Sequence, residues 1–191
     1  MYHIKDDQRA IYSAELLYDG LVKLMREMPF DSIKVTELVV ASQVGRTTFY
    51  RHFDTIEDIL RWRSDQTYDE MIQYVIAYVQ KHGNPARVML LKPVLEYFYL
   101  NSEIIELLIQ VNRLDIAMAS LNRAVTPHIT PSLTYLANDE AYLDYDMTIR
   151  IAIVTNILVK WIATGKQQSP DELADTLSRR IKNMITLDQL I

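Results

Sequence analysis

Six consecutive or near-consecutive polar side chains, Arg46, Thr47, Thr48, Tyr50, Arg51 and His52, follow Gly45 on a segment long enough for about two helical turns. Between them stand Phe49 and Phe53, four residues apart and therefore neighbours on one helical face. Such a segment is a set of hydrogen-bond donors on a small apolar anchor. An arginine pairs bidentately with the O6 and N7 edge of guanine, and threonine touches phosphate or a thymine methyl. Tyr50 and His52 are suited to donate to phosphate, and Arg51 to either target. A short helix of this kind fits a major groove about 12 Å wide. The alternative is an ordinary polar helix face turned to water.

The flanking sequence supplies the elements that would hold such a helix. Val35–Ser42 predicts a short helix with Leu38, Val39 and Ala41 free to pack, and Gln43-Val44-Gly45 predicts the turn. The polar helix runs over Arg46–Phe53. Thr55 followed by Asp58 resembles a capping box with Asp in place of Glu or Gln. It opens a long helix over Ile56–Lys81, ended by the basic, glycine and proline signals of Lys81-His82-Gly83-Asn84-Pro85. Upstream, Leu17, Leu21, Leu24 and Met28 recur at helical spacing and predict a helix over Asp7–Met28. Gly20 lies inside that helix at a cost of about 1 kcal/mol against Ala, which points to close packing there.

Downstream, residues 86–125 read as two or three helices broken near Asn101-Ser102 and Asn112-Arg113. Residues 126–143, with Pro127 and Pro131, read as loop-rich. Asp144–Thr164 is a long apolar helix ended by Gly165. Ser169-Pro170-Asp171-Glu172 opens a last helix that runs to about Leu187. The fold class is all-α, with about nine helices. Only 4 Gly among 191 residues and a 49% hydrophobic fraction agree with that reading.

Composition narrows the function. The net charge is −5, and residues 1–65 carry 9 Lys and Arg against 11 Asp and Glu, so bulk electrostatic coating of nucleic acid is not expected. A small reading head is compatible with that balance, because only the charges on the contacting face count. The chain has no cysteine, no signal-peptide pattern at MYHIKDDQRA and no membrane-length apolar run, which predicts a cytoplasmic location. His3, His52, His82 and His128 are scattered without metal-ligand spacing, and the acidic run Asp139, Glu140, Asp144 and Asp146 reads as a solvated loop. Phosphate-binding and nucleophile-elbow motifs are absent. Neither an enzyme nor a cofactor or metal is expected.

The segment GRTTFYRHFDTIEDIL, preceded by MPFDSIKV and VTELVVAS, resembles the DNA-binding domain of TetR-type transcriptional regulators over about Arg9–Leu60. That family's run of Thr, an aromatic or Leu, Tyr, any residue, then His-Phe is matched by Thr48, Phe49, Tyr50, Arg51, His52 and Phe53. LVKWIATGKQQSPDEL, residues 158–173, is more weakly similar to the last two helices of a regulatory domain common in Firmicutes members. The resemblance implies a helix-turn-helix domain over 1–60 and a ligand-binding and dimerisation domain over 61–191. It implies that Arg46, Thr47, Thr48 and Arg51 approach the bases while Tyr50 and His52 hold phosphate. It also implies a homodimer built from the last two helices, a pseudo-palindromic double-stranded operator, a small-molecule effector, and repression until that effector binds. The chain departs from the family at Gln43, where Gly is usual in the turn, and at Gly45, where Ser or Thr usually caps. A third departure is Ile56, in place of a phosphate-binding Lys. These departures motivate an alternative, a TetR-fold co-regulator that acts through a protein partner.

In the second half, Tyr74, Tyr78, Tyr97 and Arg113 are the candidate effector residues: buried hydroxyls need partners, and an arginine suits an anion. Ile151, Val154, Leu158 and Trp161, with Leu177 and Ile181, are the candidate dimer interface. Residues 149–163 are apolar nearly all round, as a helix buried on two sides requires.

Overall fold

The computed structural model describes residues 1–4, 7–82, 90–133 and 140–185, with side chains described through 128 in the third range and at 145 and 148–180 in the last. Among the described residues there are nine α-helices and one isolated antiparallel bridge, between Tyr2 and Phe53. The chain divides into two compact units, Met1–Gln66 and Thr67–Ile191. Ile59, Leu60 and Trp62, in the first turns of the fourth helix, are buried and fall in the first unit.

The first unit contains α1 (Gln8–Glu27), a 3-10 turn at Phe30–Ser32, α2 (Val35–Ser42), α3 (Arg46–His52) and the start of α4 (Glu57–His82). The Asp7 side chain caps α1 by accepting from the backbone N–H of Arg9 at 2.8 Å and of Ala10 at 3.1 Å. Leu17, Leu21, Leu24 and Leu38 are buried, and α1 packs on both α2 and α3. Gly20 permits this, since its backbone lies directly against Ser42. An aromatic file continues the core: Phe49 to Phe53 at 6.1 Å between ring centroids, then Phe53 to Trp62 at 6.3 Å. Thr55 and Asp58 form half of the expected capping box: the Thr55 backbone N–H and hydroxyl donate to the Asp58 carboxylate at 2.9 and 2.8 Å, while the Asp58 N–H donates to the Thr55 carbonyl at 3.2 Å.

The second unit holds the rest of α4, then α5 (Leu91–Leu100), α6 (Glu103–Gln110), α7 (Leu114–Leu133), α8 (Glu140–Ala163) and α9 (Pro170–Ile185). The breaks fall at Asn101-Ser102 and at Asn112, whose φ of 55° turns the chain out of α6. α5 packs on α8 and α9, and α6 on α7 and α8. Gly165 (φ 78°) and Lys166 (φ 52°) end α8, and the Lys166 ammonium donates to the Tyr99 carbonyl at 3.1 Å and the Ser102 hydroxyl at 2.7 Å. Ser169 and Glu172 then cap α9 reciprocally.

One expectation is corrected. The stretch 126–143 is not mainly loop, because α7 continues to Leu133 and α8 begins at Glu140. Pro127 and Pro131 each remove an N–H donor, but proline's own φ is helical, and they stand one turn apart, so the lost bonds fall on the same side. Packing of α7 against α6 and α8 holds the helix through them. The expected end of the last helix near Leu187 lies outside the described residues.

Candidate nucleic-acid interface

α3 is held from beneath and open above. Phe49 and Phe53 are fully buried, which fixes the helix's rotation about its own axis. Arg46, Thr47, Tyr50 and Arg51 are exposed and Thr48 is half-buried, so five of the six sequence-selected residues lie on or beside one open polar face. Gly45 precedes the helix with φ −65° and ψ 144°, and no side chain caps the first turn. Gln43 adopts a left-handed φ of 56° at the end of α2, the conformation for which glycine is the usual choice.

His52 lies apart from that open face. It is only 3% exposed, and neither ring nitrogen has a hydrogen-bond partner. A side chain so placed offers a phosphate no accessible donor. Burial pushes its pKa below the ordinary value, the Arg51 charge adds to that, and Asp7 opposes it. In this arrangement His52 belongs to the support of α3 rather than to its open face.

Residues 1–4 supply a feature that the sequence did not signal. The His3 N–H donates to the His52 carbonyl at 2.8 Å, and the Asp54 N–H to the Met1 carbonyl at 3.2 Å. The Tyr2 hydroxyl donates to Asp65 at 2.6 Å. These bonds tie the exit of α3 and the first turns of α4 together through the start of the chain. No hydrophobic period marks so short a segment, so only the folded chain reveals it. In the first turns of α4, Arg61 is held by Glu57 and lies 3.7 Å from Asp58. Its guanidinium is engaged there by carboxylates.

The candidate effector residues separate. Tyr74 of α4 donates to Glu96 of α5 at 3.1 Å, and Tyr97 of α5 donates to Glu70 of α4 at 2.9 Å, with the two rings 5.9 Å apart. Tyr78 is half-buried against His82 at 4.3 Å. Arg113 sits in the α6–α7 connection and grips Asp115 through two bonds of 2.9 and 3.0 Å. Tyr74 and Tyr97 therefore meet carboxylates, and the arginine's bidentate face is taken by an acid of its own turn.

The candidate dimer residues also divide. Ile151, Leu158 and Trp161 are 8%, 1% and 2% exposed within the second unit. Trp161 donates its indole N–H to the Gln168 carbonyl at 3.0 Å and stacks on Tyr99. These three are packed inside the subunit and leave little of their side chains for a second copy of the chain to cover. Val154 and Leu177 are half-buried, and the Ile181 side chain lies outside the described residues. The open stripe of α8 is instead Tyr145 and Ile149, continued by the half-buried Ile153 and Ile157. Sequence periodicity could not separate these stripes, because apolar residues occupy both.

Among the described residues no group of His, Asp and Glu is arranged to hold a metal ion, and no helix is long and apolar enough to cross a membrane. Residues 89–183 match a family model described as a transcriptional regulator C-terminal region. No curated protein matches the chain.

Proposed function

The chain belongs to the TetR-type transcriptional regulators, and from that premise we propose that its first unit reads double-stranded DNA through α3. Arg46, Thr47, Thr48 and Arg51 face the bases, and Tyr50 contacts phosphate. The observation that carries this reading is the open polar face of α3 on the fully buried Phe49 and Phe53. His52 takes part as support and not as a contact. The functional unit is a homodimer formed by the open face of α8, Ile149, Ile153 and Ile157, beside Leu177 of α9. A two-fold dimer binds a pseudo-palindrome with half-sites about 34–36 Å apart or a multiple of that. An effector in the second unit, acting from the cytoplasm, relieves repression by binding the free and DNA-bound forms with different affinity.

The test is a gel shift with the full chain on duplexes from the region upstream of its own gene. A sequence-specific shift that weakens steeply with salt supports the reading. Equal affinity for every duplex of the same length at low salt sinks it.

One observation favours a second reading. Arg61, a cation in the first turns of α4, is engaged by Glu57 and Asp58. With the excess of acids over bases in residues 1–65, this suits a co-regulator that docks on a protein. Co-purification of a stoichiometric protein partner, together with no specific duplex, would favour it.

A further inference from the structure

We propose that Tyr50 is a positioning residue for Arg46: its ring, and not only its hydroxyl, sets the base preference of α3. This rests on the reading of α3 as the DNA-contacting helix. The Arg46 guanidinium carbon lies 5.6 Å from the centroid of the Tyr50 ring. The two residues are four apart, so helical geometry puts them on one face, and a cation over a ring at that distance is attracted to it.

The ring is 48% exposed and has one neighbour in the core. Tyr50 stands edge-on to Phe49, with centroids 5.0 Å apart and planes at 84°. Phe49 is fully buried and leads on through Phe53 to Trp62. A platform anchored in the core therefore carries a flexible, solvent-exposed cation. On the other side of Arg46 there is no comparable restraint. Gly45 has no side chain, and nothing lies within 4 Å of where its Cβ would be. An unrestrained arginine samples many rotamers before it meets a base edge. Stacking on Tyr50 selects among them beforehand, which is preorganisation of the reading group. The hydroxyl and the ring thus have separable tasks, one toward the phosphate and one toward Arg46.

The test compares full-length wild type, Tyr50→Phe, Tyr50→Leu and Arg46→Ala by selection from a pool of random-sequence duplex DNA. Arg46→Ala identifies the base pair that Arg46 reads. Tyr50→Phe is expected to keep the preference at that base pair and to weaken binding to all sequences alike. Tyr50→Leu is expected to lose about two- to fivefold of the preference at that base pair, the range for an exposed cation–ring contact. A second arm needs no DNA: the Arg46 side-chain NMR signals should be shifted upfield by the ring in wild type and Tyr50→Phe, and not in Tyr50→Leu. No upfield shift in free wild type overturns the proposal, whatever the DNA results. Full retention of the preference in Tyr50→Leu overturns it too. A clear shift in a wild type that enriches no sequence shows that the DNA reading itself has failed, and the positioning role falls with it.

Discussion

Gly20 of α1 meets Ser42 of α2 so closely that a Cβ on Gly20 would lie 2.8 Å from the Ser42 Cβ and 2.9 Å from its backbone nitrogen. Both contacts are shorter than real Cβ atoms tolerate, and one of them is with backbone. In an open helix Gly→Ala stabilises by about 1 kcal/mol. Here Gly20→Ala is expected to destabilise the first unit by roughly 1–3 kcal/mol, as overpacking does. Ser42→Gly in the same chain should restore part of the loss and not all of it, because the Ser42 nitrogen remains. Thermal unfolding of the single and double variants decides this, and a raised melting temperature for Gly20→Ala would refute the close approach.

Gln43→Gly is expected to act in the opposite direction. Gln43 holds a φ of 56°, which costs a residue with a Cβ roughly 1–2 kcal/mol. Glycine relieves that strain and gives back part of it as unfolded-chain entropy, so the net gain should be roughly 0.5–1 kcal/mol. Chemical denaturation checks it. A loss of stability would mean that the Gln43 side chain does something the backbone argument omits.

His52 gives the first unit a defined pH response. Burial lowers its pKa from the ordinary 6.5, so the unfolded chain takes up a proton near neutrality that the folded unit refuses. The contribution to stability is complete above about pH 6.5. It falls as the pH drops below that value, until the folded imidazole protonates in turn. The melting temperature should therefore decline between about pH 7 and 5, and His52→Phe should flatten that segment. An unchanged slope in His52→Phe would place the titration elsewhere. The Asp7 carboxyl, lowered by the bonds it accepts from Ala10 and Arg9, adds its own loss only as the pH falls through its carboxylate range.

The two stripes of α8 can be told apart by substitution. Trp161→Ala removes a 2% exposed side chain and its bond to Gln168, and should destabilise the second unit by roughly 3–5 kcal/mol. Ile149→Asp places a charge on a position that is 56% exposed. It should leave the monomer folded and weaken self-association by about tenfold or more. Sedimentation and thermal unfolding on the same samples separate these outcomes. Unfolding of the monomer by Ile149→Asp would reverse the assignment of the stripes.

Much of this architecture is legible in the sequence where backbone chemistry leaves a local mark. Ser169-Pro170-Asp171-Glu172 and Thr55–Asp58 mark helix starts because capping depends on residues three apart. Gly20 marks a close approach because only a missing Cβ explains a glycine there. The prolines at 127 and 131 misled because tertiary packing overrides a local breaker. The stripes of α8 were confounded because hydropathy does not record which apolar face another helix of the same chain has already taken. His52 shows a different limit: a polar residue type says what a side chain is able to donate, and its place on the helix circumference decides whether anything receives it.

The aromatic file beneath α3 has a practical consequence. The chain contains two tryptophans; Trp62 is buried in the first unit at the end of that file, and Trp161 in the second. Each half of the protein thus carries its own intrinsic fluorophore. In a Trp161→Phe variant the remaining tryptophan emission reports on the first unit alone, so its unfolding is followed by light without any attached label.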